Sequence, residues 1–117
     1  MAVLSREQIV KADDRRTEVV PVPEWGGEVI VRALSSEELD SWEQWIVDNR
    51  VGENTCPNLR ASLVARSVVD ESGNRVFGDG EVEVLGRKSG AAVDRIFAVA
   101  QRLTARSEED IERLKKA

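Results

Sequence analysis

The chain of 117 residues contains no histidine and no tyrosine, and a single cysteine. Without histidine it lacks the side chain that most often serves as general base near neutral pH and as a neutral metal ligand. A Ser–His–acid triad therefore cannot be assembled from it. Cys56 has no second thiol to pair with, which excludes an intrachain disulfide and suits a reducing compartment. No histidine is present to activate Cys56, so it reads as a bystander thiol rather than a nucleophile. Long apolar runs are also missing; none approaches the roughly 18 residues of a membrane-spanning helix. The N-terminal residues Met1-Ala2-Val3-Leu4-Ser5-Arg6-Glu7 lack the apolar stretch of a signal peptide. Basic charge is in deficit, with 17 Lys and Arg against 22 Asp and Glu and a net charge of −5. That balance argues against duplex nucleic acid, which needs a clustered positive footprint.

Turn, strand and helix signals are dense between Pro23 and Leu39. Gly26-Gly27 can reverse the chain at little steric cost, and Trp25 beside it can pin the turn to a core. From Glu28 to Ala33 the residues alternate, with Val29, Val31 and Ala33 on one side. Ser35 with Glu38 forms a capping box, and Leu34 with Leu39 stands at staple spacing. The β-rich run Thr17 to Val22 precedes this unit and contains Pro21, which has no ladder donor and places the run at a sheet edge. A β-hairpin over residues 17–33 follows, with one face packed on helices.

Helical periodicity accounts for much of the remainder. Ser5 with Gln8 repeats the capping box ahead of a short helix over residues 6–12. Leu39, Trp42, Trp45 and Ile46 mark a helix over residues 36–48, and Leu59, Leu63, Val64 and Val68 one over residues 57–69. A short helix over residues 81–85, capped by Asp79 and closed by Gly86, comes next. Val93, Ile96, Phe97, Ala100 and Leu103 form the most regular stripe, over residues 89–104, and place Phe97 in the core. A last helix, residues 107–115, is acidic at its start and basic at its end, in line with the helix dipole. The reading is one α+β, mainly α domain over residues 1–117: an N-terminal β-hairpin packed on a small bundle of about four helices.

No candidate catalytic, cofactor or metal residue survives inspection. Asp70-Glu71-Ser72-Gly73-Asn74 lacks the alternating ligands and late bidentate glutamate of a calcium loop, and reads as a turn. Gly78-Asp79-Gly80 lacks the following Lys-Ser/Thr of a phosphate loop. Partner contact is a different matter. Trp42 and Trp45 lie three residues apart and cannot both follow one narrow stripe, so part of that helix is a candidate contact between subunits. Ile111 and Leu114 make too thin a stripe to bury the last helix securely, and such a stripe can complete itself on a partner helix.

Four segments resemble the tail assembly chaperone family of long-tailed (siphovirus-type) bacteriophages and prophages. They are Leu4 to Ile9; Val22-Pro23-Glu24-Trp25-Gly26-Gly27-Glu28-Val29-Ile30-Val31-Arg32-Ala33-Leu34; Asn58 to Ala65 leading to Val69 through Phe77; and Leu85 to Gly90 leading to Arg95 through Leu103 and Ser107 to Ile111. The resemblance implies a non-enzymatic protein of the bacterial host cytoplasm, absent from the mature virion. It implies binding to the tape measure protein, and often to tail tube subunits, with self-association and no nucleic-acid or membrane partner. Many members of the family are made in a short form and a frameshifted longer form, and the resemblance makes this chain the short form. It carries over no contact residue, because the family pattern is one of turns and packing. Two alternatives stay open: a structural virion component such as a head–tail connector subunit, and a small helical regulator. For the latter, Arg102, Arg106, Arg113, Lys115 and Lys116 gather near the C-terminus.

Overall fold

The computed structural model describes residues 2–116; the two end residues of the expected 1–117 domain lie outside the described range. Helix α1 spans Arg6–Lys11, and strand β1, Thr17–Val22, follows a charged connector. A single 3₁₀ turn, Pro23–Trp25, leads through Gly26 into β2, Gly27–Arg32. Gly26 holds φ at +74°, the left-handed conformation that reverses the chain. The strands pair antiparallel from Thr17 opposite Arg32 to Val22 opposite Gly27. Ser35 caps α2, Ser36–Asn49, through the expected box with Glu38.

Helix α3 runs over Leu59–Ser67 and stops short of the expected 57–69. Val68–Val69 leave the helix and form β3, which pairs antiparallel with β2 at Ile30 and Val31. The sheet order is β1-β2-β3, so Pro21 sits on an edge strand. After the Asp70–Asn74 turn come a 3₁₀ turn, Asp79–Glu81, and then α4, Val82–Gly86. Helix α5, Gly90–Leu103, is capped by Ser89, and α6, Glu108–Lys115, by Ser107. The fold is α+β and mainly α.

Helix α3 is the axis of the molecule: every residue from Ala61 to Ser67 is buried. Sheet side chains Val20, Val22 and Val31 meet Leu63, Val64, Ile96 and Ala100 in one core with Trp42 and Ile46. The buried hydroxyls on α3 are hydrogen-bonded, whereas Arg66 Nε has no partner among the described residues. Trp42 Nε1 donates to Ser62 Oγ at 2.9 Å, Ser62 donates to Leu59 O, and Ser67 donates to Leu63 O.

Three expectations are corrected here. Phe97 is only half-buried, because α3 and the sheet take the face centred on Val93, Ile96 and Ala100. Asp79 does not cap α4; its carboxylate pairs with Arg75 at 2.8 Å, and Glu81 accepts from Gly78 N instead. Gly86 is the last helical residue rather than a left-handed cap. Its lack of a side chain matters for another reason: a Cβ there would run into the amide of Asn58.

Candidate partner-binding groove

A concavity of about 550 Å³ opens between the start of α3, the end of α4, the length of α5 and the face of α6. Local chemistry sets each wall. Pro57 and Asn58 lead into α3, and Asn58 takes φ of +61°, a conformation that asparagine tolerates. Because Gly86 presents no side chain, the end of α4 closes on Asn58 and forms one end of the groove. Along α5, Val93 and Phe97 stand one helical turn apart and face the opening. The far wall is α6, set in place by the α5–α6 turn. Ala105 there holds φ of +56°, and Arg106 N donates to Gln101 O at 3.2 Å. Arg106 reaches Glu43 on α2 at 3.4 Å, and Arg50 donates to the carbonyls of Leu114 and Lys116.

The lining is mixed: Leu59 and Phe97 keep a partly exposed apolar face over the buried Ala61, Leu85, Val93 and Ile111, whereas Arg60, Lys88, Gln101, Glu108, Glu112 and Lys115 are its polar members. Rim charges are partly compensated: Arg60 pairs with Asp94 at 3.1 Å and Lys115 with Glu112 at 2.7 Å. Cys56 lies at the mouth, half-buried; desolvation pushes its thiol up, against a smaller pull from Lys115. A thiol held in its protonated form is a poor nucleophile. No three His, Cys, Asp or Glu side chains among the described residues are grouped to hold a metal ion. A groove with a narrow apolar floor at Leu59 and Phe97 and a broad mixed-charge rim suits an amphipathic helix that brings both kinds of side chain to it.

Of the four residues singled out for partner contact, the fold consumes two. Trp42 is wholly buried and hydrogen-bonded, and Ile111 is 6% exposed, packed in the core beneath the groove wall. Neither offers free surface while the chain is folded. Trp45 and Leu114 are half-buried and keep an outer face. Leu114 lies away from the main groove, in a shallow cleft with Glu43, Arg106, Asp110 and Arg113. The apolar groove residues that sequence periodicity did not single out as a contact are Leu59 and Phe97, which keep an outer face, and Leu85 and Val93, which are buried beneath them. They come from three helices, and only tertiary packing brings them to one trough.

Four of the five basic residues gathered near the C-terminus are ion-paired. Arg102 pairs with Glu18 at 2.8 Å, Arg106 with Glu43, Arg113 with Asp110 and Lys115 with Glu112. No helix among the described residues is long and apolar enough to cross a membrane.

A family model described as phage tail assembly chaperone matches residues 5–113. The solved structure of the tail assembly chaperone of bacteriophage HK97 is similar, with a TM-score of 0.61 and 23% sequence identity, over 87% of this chain and 95% of that one. At that identity the likeness is one of fold. A search of curated proteins found no match.

Proposed function

The chain belongs to the phage tail assembly chaperone family, and from that premise we propose that it binds the tape measure protein by receiving an apolar helix face in the groove between Phe97 and Ile111. The observation that carries this reading is the open groove between α3, α4, α5 and α6, where Leu59 and Phe97 keep partly exposed apolar faces inside a charged rim. A tape measure protein is a very long, largely helical chain, and its apolar stripes aggregate when left uncovered. A small acidic protein with one receptive trough covers a stretch of such a stripe, and copies in series cover its length. Binding is non-catalytic and takes place in the host cytoplasm before the tube polymerises; the chaperone is then left behind. Tail tube subunits are further clients of the same kind of contact.

Co-expression with the tape measure protein of the same phage tests the proposal, with co-purification and client solubility as readouts. Wild-type chain keeps the client soluble and co-purifies with it. Phe97→Glu, which puts a charge into the trough, abolishes both while the variant itself stays folded. A Trp45→Ser, Leu114→Ser double variant probes the other exposed apolar positions. Capture that survives Phe97→Glu but fails in the double variant moves the contact out of the groove; no capture by the wild type removes the reading altogether.

A further inference from the structure

Five charged side chains line the groove: Arg60, Lys88, Glu108, Glu112 and Lys115. Arg60 pairs with Asp94 and Lys115 with Glu112, whereas Lys88 and Glu108 have no ion-pair partner among the described residues. Both are exposed. Helix α5 forms the long wall between them. Lys88 stands just before its first residue, Gly90, and Glu108 just past its last, Leu103. A helix of 14 residues is about 20 Å long, so two uncompensated charges of opposite sign stand at opposite ends of the groove. Phe97, halfway along α5, keeps its apolar face between them. The start of α6 does not account for Glu108. Glu109 and Asp110 already meet the helix dipole there, and Asp110 closes the capping box with Ser107.

We infer that Lys88 and Glu108 read the charge order of the client helix and so fix the direction in which it lies in the groove. This rests on the groove being the client's receiving surface, as proposed above. The segment recognised is an amphipathic helix of about 14 residues, the length that spans the groove. It carries a carboxylate at the end that meets Lys88 and a Lys or Arg at the end that meets Glu108, with an apolar residue over Leu59 and Phe97 between them. Turned end for end, the same segment sets like charges against each other at both ends, so the wrong direction is penalised twice. The apolar contact supplies attraction without direction, and the two rim charges supply direction. Copies placed in series along one client then all face the same way, because each reads the client's charges independently.

The test is a charge swap, with binding to the full-length tape measure protein of the same phage titrated at low and high salt. Lys88→Glu and Glu108→Lys are made singly and together, both at exposed positions that leave the core untouched. Each single change is expected to weaken binding about twofold to tenfold at low salt, the range of an exposed ion pair turned into a repulsion. The double swap keeps the net charge at −5 but reverses the order of the two charges. It is expected to bind at least about tenfold more weakly than wild type, and below either single variant. The deficit should close in about 1 M salt, which screens exposed charges. Hydrogen exchange of the client in the wild-type complex locates the protected segment. Reversing the charges at the two ends of that segment should restore binding to the double swap and weaken binding to wild type. A double swap that binds like wild type, or a reversed client that rescues nothing, overturns the inference. Wild-type capture that is lost in Phe97→Glu leaves the groove as the receiving surface in either case. A wild type that captures no client removes that reading and this inference together.

Discussion

Ile96 and Phe97 are neighbours on one helix with different fates. Ile96 is wholly buried, whereas Phe97 sits at the groove with part of its ring in solvent. Ile96→Ala should cost about 2–5 kcal/mol through lost contacts and a cavity. Phe97→Ala should cost less and leave the chain folded; chemical denaturation of both variants checks the order. Gly26 and Gly27 also separate. Gly26 has φ of +74°, so Gly26→Val strains the turn by about 1 kcal/mol or more. Gly27 does not have positive φ and has open space about its Cα, so Gly27→Val should be nearly neutral. Equal effects of the two on the urea midpoint would contradict this account of the turn. Ala105 presents the converse case, an alanine in the left-handed region that orients α6. Ala105→Gly should stabilise the chain by about 0.5–1 kcal/mol, as relief of strain exceeds the added chain entropy.

At the scale of elements, the helix starts were the most legible part of the sequence because capping is local chemistry. Ser5, Ser35, Ser89 and Ser107 all accept from a backbone N–H three residues on. Strand β3 was not legible. Val68 and Val69 continue the apolar run of α3, and only the distant partners Ile30 and Val31 turn them into a strand. Helix α3 showed its apolar positions but not its burial on all sides, since Ser62, Arg66 and Ser67 read as polar and are buried with hydrogen bonds to α3 carbonyls and to Trp42. Arg66 is buried, which pushes its pKa down, while Asp79 opposes that shift from 4.0 Å. The hairpin is tied to α5 by Glu24, which accepts from both terminal nitrogens of Arg95 at 2.8 and 3.0 Å. These bonds hold the Glu24 carboxyl at about 2, below its ordinary 4.5. A carboxyl depressed by folding contributes stability that is fully present above its unfolded value and lost as pH falls through its folded one. Stability should therefore fall between pH 4.5 and about 2, with Asp79 and Asp110, also depressed, sharing the slope. Glu24→Gln should flatten part of that loss, and an unchanged acid-unfolding curve would show that the pair contributes nothing.

At the scale of the whole molecule, the family was legible from the order of turn and packing motifs along the chain, and the site was not. Ile111 lies on a helix that walls the groove, but it is buried and offers no free surface. A double Ile111→Ser, Leu114→Ser change would therefore disturb the fold as well as any contact. The trough arises where α3, α4, α5 and α6 converge, and periodicity within one helix carries no record of that convergence. Charge behaves likewise: four of the five basic C-terminal residues that look like a patch in sequence are met by Glu18, Glu43, Asp110 and Glu112 in space. The central claim is that the groove receives a helix of the tape measure protein, and Cys56 at its mouth offers a native reporter. The most direct measurement is the alkylation rate of Cys56 in the purified chain, alone and in complex with the tape measure protein, at one pH and ionic strength. The account predicts at least tenfold slower alkylation in the complex, restored to the free rate when the client is displaced. A stable complex in which Cys56 reacts as fast as in the free chain would contradict it.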